Sequence, residues 1–142
     1  MKTTHCLIGF LLALFSLGAA HAVDDARAWV PMPTAMQEHM LSNMRDHLAA
    51  LHDILRNMAA GNLDEAAEIA ESRLGVSSLE RHGASHMANL MPEGMQSVGT
   101  GMHKAASHFA LKAQEGEVLP AYRALSEVTA ACVACHAAYR IR

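Results

Sequence analysis

The amino-acid sequence predicts an all-α protein. Ala, Leu, Met and Glu dominate the chain, whereas Val, Ile and Thr are scarce and never alternate with polar residues as they would in strands. Apolar residues recur at spacings of three and four over several long segments, which Gly and Pro separate. Four long or composite helices joined by short turns predict an antiparallel four-helix bundle, and the length suits one domain over residues 23–142.

Residues 1–22 have the layout of a secretory signal peptide. Lys2 supplies a positive start, residues 7–17 form an apolar run too short to span a bilayer, and residues 20–22 are a small-x-small cleavage site. We therefore expect cleavage after Ala22, a periplasmic location and no attachment to the membrane afterwards.

The chain carries a small negative net charge. The 11 Lys and Arg residues stand against 14 Asp and Glu residues, which gives a formal net charge of −3. No basic stripe is present, so nucleic acid is not an expected partner. Mild acidity would attract a basic partner surface.

The first predicted helix runs from Thr34 to Met58 and ends at Gly61. Its apolar residues form one predicted core stripe: Met40, Met44, Leu48, Leu51, Leu55 and Met58. Residues 23–33, which include two prolines, are expected to be a loosely ordered lead-in.

A second helix over 66–74 follows the N-cap residue Asn62 and ends at Gly75, and a short segment then opens with the capping-box pair Ser77 and Glu80.

Two further long helices are predicted over residues 95–113 and 119–139, with a polar connection between them. The predicted core stripe of the last helix is Tyr122, Leu125, Thr129, Cys132, His136 and Tyr139.

The last helix contains a haem-attachment motif. Residues 132–136 read Cys-Val-Ala-Cys-His, the C-x-x-C-H signature of c-type haem. The thiols of Cys132 and Cys135, one helical turn apart, can reach the two vinyl groups of a porphyrin, and His136 can then ligate the iron. A disulfide across so short a loop would stabilise little, a thioredoxin-like dithiol needs a βαβ context, and zinc needs two more ligands. The motif therefore predicts one covalent haem c.

Residues 132–140 read CVACHAAYR and resemble the C-terminal motif of the class II cytochromes c, a family that includes cytochrome c′ and its low-spin relatives. The resemblance implies a four-helix bundle with haem on the last helix and redox proteins as partners. It implies a contact between Arg140, four residues past the histidine, and a haem propionate. Because relatives often dimerise through their first two helices, it also suggests a homodimer.

The resemblance links function to the residue of the first helix that faces the iron. A Met ligand there gives a six-coordinate, electron-transferring haem, whereas a non-ligating residue leaves a five-coordinate iron that binds NO or CO. Met44 precedes Gly61 by roughly the distance that the family shows, and Met40 lies one turn earlier, after Gln37. We expect Met44 as distal ligand, with Met40 as the alternative, and electron transfer as the function. Five-coordinate gas binding is the alternative function.

The chain has more His and Met than one haem can use, since eight histidines and nine methionines follow residue 22. Imidazole and thioether groups suit copper, so a periplasmic copper-binding protein is a second alternative, with a cluster of His39, His86 and His103 as one arrangement. Core packing is the simpler interpretation of these residues, and it is the one we expect. No Ser/His/Asp pattern, carboxylate pair or large loop indicates an enzyme.

Overall fold

The computed structural model describes residues 25–142, and these are mostly helical, as the composition predicts. The predicted signal peptide lies outside the described residues. The helices within the described part are α1 (Thr34–Ala59), α2 (Leu63–Arg73), α3 (Ala84–Ala88), α4 (Glu93–Gln114) and α5 (Val118–Ala138). A single 3-10 turn, Val76–Ser78, lies between α2 and α3. The long helices begin and end within a few residues of the predicted bounds.

Helix α2 packs against α1 and α4, and α4 packs against α5. Together they bury a first core, whose larger members are Ile54, Met58, Leu63, Leu74, Phe109, Leu125 and Val128. Many of its other members are alanines, which let the helix backbones approach closely. Arg73 of α2 forms ion pairs with Asp46 and Asp53 and thereby ties α2 to α1.

The lead-in before α1 is ordered over its described part, so the expected loose segment is wrong there. Strand β1 (Ala28–Trp29) pairs in parallel with β2 (Tyr139–Arg140), directly after α5. The N–H of Val30 continues this pairing by donating to the carbonyl of Arg140 at 2.8 Å. Val30 is almost fully buried, because its side chain joins a methionine-rich second core.

The predicted core stripe of α1 is wrong at two positions. Leu48 is 69% exposed and Leu55 is 43% exposed. The residues one position earlier face inward instead. Ile54 is buried, and His47 is partly buried. Side-chain type alone favours Leu48 over its neighbour His47 as the inward residue, and for this reason the predicted stripe is wrong there.

The predicted stripe of α5 is confirmed at Leu125, which is buried in the first core, and is wrong at Tyr122 and His136, which are exposed. Ala121 and Val128 are buried instead. Alanines mark the true contact face, because α5 lies close to α4.

Neither predicted capping interaction forms. The hydroxyl and backbone N–H of Ser77 bond to Glu71 of α2 rather than to Glu80, and Asn62 precedes α2 without a capping hydrogen bond from its side chain.

By length and composition, α5 is apolar enough to cross a membrane, with a mean hydropathy of 1.2. Only 22% of its apolar stretch is buried, although α5 also supplies buried residues to the first core.

Candidate functional site

A mostly apolar cavity of about 170 Å³ lies between α1, α3, α4 and the C-terminal part of α5. Thioethers dominate its wall, and they come from Met40, Met44, Met87, Met91, Met95 and Met102. Most of these methionines belong to the second core, together with Val30 and Tyr139 near the β1–β2 pair. No carboxylate lines the cavity.

The structure places the predicted iron ligands on the wall of this cavity, with one exception. Cys135 lines the cavity together with Met40 and Met44, and both Cys132 and Cys135 are half-buried free thiols. Burial raises the pKa of both thiols. His136 is the exception, since its side chain is exposed on the outer side of α5.

Arg140 lies outside the cavity wall. Its guanidinium carbon lies 5.0 Å from the centre of the Trp29 ring, and its Nε lies 3.5 Å from a carboxylate oxygen of Asp25. That Nε is buried and makes no hydrogen bond, and its ion pair with Asp25 is long.

The cavity wall also contains three histidines from three different segments. His47 lies on α1, His82 follows the 3-10 turn, and His103 lies on α4. One ring nitrogen from each lies within 4.8 Å of the others. The closest pair is Nε2 of His47 and Nδ1 of His82, at 3.4 Å. We call these three residues the histidine cluster.

Hydrogen bonds orient two rings of the histidine cluster. Nδ1 of His103 donates to the carbonyl of Leu74 at 2.7 Å, so its Nε2 carries the lone pair. The buried Ser78 hydroxyl donates to the Gly75 carbonyl and lies 3.3 Å from Nδ1 of His82. Nε2 of His82 is buried and has no hydrogen-bond partner.

The backbone around His82 is fixed by α1. Nε2 of His39 and the side-chain amide of Asn43 both donate to the carbonyl of His82, each at 2.9 Å. Gly83 then adopts a φ of 64°, which only glycine tolerates readily. A Cβ there would lie 3.0 Å from Nε2 of His39, so this close approach also requires glycine.

The histidine cluster favours the uncharged state of its rings. Burial, together with the neighbouring His82 and His103, lowers the pKa of His47 to about 4, and Asp46 acts in the opposite direction. Burial also lowers the pKa values of His82 and His103.

We expect the protein to lose stability in acid because of His47. Its pKa of about 4 in the folded state lies below the ordinary value of 6.5, so the unfolded chain binds more protons between these values. The contribution of His47 to the free energy of unfolding is therefore complete above about pH 6.5. As the pH falls to 4, the free energy of unfolding decreases by about 2–3 kcal/mol because of this group. Urea unfolding between pH 7 and pH 4 should show a smaller loss for His47→Gln than for the parent. His52→Gln, on the exposed side of α1, should behave as the parent, and equal losses in all three proteins would contradict the prediction.

Sequence reasoning identified one member of the histidine cluster. Of the proposed His39, His86 and His103, only His103 belongs to it, because His86 is exposed and His39 contacts the backbone of His82. His47 and His82 are 35 residues apart, so no local spacing could have paired them.

No model of a known protein family, no curated protein and no solved structure matches this chain.

Proposed function

We propose that the protein is an exported, periplasmic electron carrier with one covalent haem c. Cys132 and Cys135 would hold the haem, and His136 would be the proximal ligand of its iron. The observation that carries this proposal is the C-x-x-C-H motif on α5, whose second thiol shares a cavity with Met40 and Met44 of α1. Such a haem supplies a single-electron redox centre.

The chemistry of the thiols supports haem attachment over a catalytic dithiol. Catalytic C-x-x-C pairs have a lowered thiol pKa, whereas burial raises the pKa of both Cys132 and Cys135. Both thiols are free, as attachment to two vinyl groups requires.

The cavity as it stands is too small to enclose a haem. Its volume of about 170 Å³ compares with roughly 300–1,000 Å³ for typical small-molecule sites. The main helix contacts of the described chain join α1 to α2, α2 to α4 and α4 to α5, so α1 can separate from α4 and α5 with little loss of direct packing. The exposed His136 and Val133 mark the side of α5 along which the rest of the haem would lie.

We further propose that the four longer helices, α1, α2, α4 and α5, form an antiparallel four-helix bundle. Connections of three residues, 60–62 and 115–117, join α1 to α2 and α4 to α5, and such short turns favour antiparallel neighbours. The resemblance to class II cytochromes c supports the same arrangement.

The remaining residues have proposed roles. Met44 would be the distal ligand, with Met40 as its alternative. Arg140, whose Nε makes no hydrogen bond and only a long ion pair with Asp25, would contact a haem propionate. Redox proteins with a basic surface would be the partners of this mildly acidic chain, and a homodimer remains part of the proposal. The predicted leader, residues 1–22, would direct export.

Haem attachment is tested by extraction and mass. Protein made with a c-type maturation system should keep its colour in acid acetone and have the mass of the chain from Val23 plus one haem. Replacing both Cys132 and Cys135 by Ala should abolish covalent attachment completely. The control is Val118→Ala, which changes an exposed residue at the other end of α5 and should retain the haem. Extraction of all colour from the parent protein would refute the proposal.

A further inference from the structure

The histidine cluster has the geometry of a metal site. Two imidazole ligands on one tetrahedral ion, each at roughly 2.0–2.1 Å, are about 3.4 Å apart. Nε2 of His47 and Nδ1 of His82 lie 3.4 Å apart, and a ring nitrogen of His103 lies within 4.8 Å of each. Three segments of the chain therefore bring three ring nitrogens close enough together to bind one ion.

The hydrogen bonds around the cluster are those of oriented ligands. Metal-bound histidines usually donate their second ring N–H to a carbonyl or carboxylate, which fixes the tautomer. His103 does so to Leu74 at 2.7 Å, which leaves its Nε2 as the donor atom.

His82 contributes Nδ1 to the cluster, since this is the nitrogen that lies 3.4 Å from Nε2 of His47. The His82 ring is only 6% exposed, and its opposite nitrogen, Nε2, has no hydrogen-bond partner.

The wall of the cavity identifies the class of ion. Hard cations such as Mg²⁺ and Ca²⁺ need carboxylate or carbonyl oxygens, and no Asp or Glu lines the cavity. Three imidazoles alone suit zinc or copper. The thioethers of Met87, Met91, Met95 and Met102 line the same cavity, and thioethers select Cu(I).

We propose that His47, His82 and His103 bind one Cu(I) ion in the methionine-lined cavity. This site is distinct from the haem iron and does not depend on the proposed haem. The three imidazoles hold the ion, and the surrounding thioethers favour the cuprous state and exclude hard cations.

The test is Cu(I) competition between the haem-loaded protein and bathocuproine disulfonate, with Zn(II) binding measured in parallel. Haem attachment consumes both thiols, so thiolate binding cannot mimic the site. We expect one Cu(I) per chain and weaker Zn(II) binding. His47→Gln, His82→Gln and His103→Gln should each lower the Cu(I) affinity at least tenfold. His52→Gln and His108→Gln, exposed histidines on α1 and α4, are matched controls and should leave the affinity unchanged.

Two further measurements separate the site from folding and from the haem. The parent protein should melt at a higher temperature with excess Cu(I), because the ion binds only the folded chain. The Cys132→Ala, Cys135→Ala double variant should bind Cu(I) as the parent does, so failure of the haem proposal leaves this test intact. The proposal is overturned if the parent binds no Cu(I), if it prefers Zn(II), or if the three His→Gln variants bind Cu(I) as tightly as the controls.

Discussion

Met44→Leu should remove the sulfur-to-iron charge-transfer band of the oxidised protein and make the reduced haem bind carbon monoxide stoichiometrically. Met44 and Met40 line the same cavity as Cys135, so either thioether lies on the side of α1 that would face the haem. A Met/His axial pair favours the ferrous state, so the variant should also have a lower reduction potential. Leucine conserves the side-chain volume, and the fold should therefore tolerate the change at a cost below about 1.5 kcal/mol.

Met40→Leu and Met58→Leu complete this experiment. If the band survives Met44→Leu and disappears in Met40→Leu, Met40 is the distal ligand. Met58 lies on the same helix but in the first core, so Met58→Leu should keep the band. A parent protein that is high-spin and binds carbon monoxide at once would refute the electron-carrier proposal and favour five-coordinate gas binding.

Phe109→Ala should lower the free energy of unfolding by about 3–5 kcal/mol. Phe109 is fully buried and is the largest such side chain among the described residues, and its ring packs between the small residues of the first core. Alanines supply much of that core, so they cannot move into the space that a missing ring leaves. Urea unfolding of the haem-loaded protein measures the change, and the melting temperature should fall by roughly 10–20 °C.

Leu111→Ala is the matched control for Phe109→Ala. Leu111 lies two residues further along α4 and is 62% exposed, so its truncation should change the free energy of unfolding by no more than about 0.5 kcal/mol. A loss below about 1 kcal/mol for Phe109→Ala would show that the first core repacks around the gap.

The helices were predictable because local signals bound them. Gly61, Pro92 and Gly116 interrupt the periodic segments, and the observed helices stop or start beside them. The face that each helix buries was less predictable. On α1 the inward residue is His47 and its apolar neighbour Leu48 is exposed, because a neutral histidine with partners on other segments can be buried as readily as a leucine.

The proposed haem-attachment residues can be recognised in the sequence, whereas the histidine cluster cannot. The proposed attachment residues lie within one turn of α5, so their spacing alone suggests a chemistry. The histidine cluster draws on α1, on the turn after Ser78 and on α4, and only the tertiary fold brings these together. The pairing of β1 with β2 was missed for the same reason, since it joins opposite ends of the described chain.

The pairing of β1 with β2 joins the two ends of the described chain and should form last during folding. The two strands are about 110 residues apart, so joining them costs more chain entropy than any contact between neighbouring helices. The strands are two residues long on each side, and one further hydrogen bond from Val30 extends the pairing, so this short pairing should also open before the first core does. Val30 and Met32 pack in the second core beside the methionines of the cavity wall, and each opening would uncover that wall while α2 and α4 stay packed. Entry to the cavity would then be set by a local fluctuation at the ends of the chain and not by global unfolding.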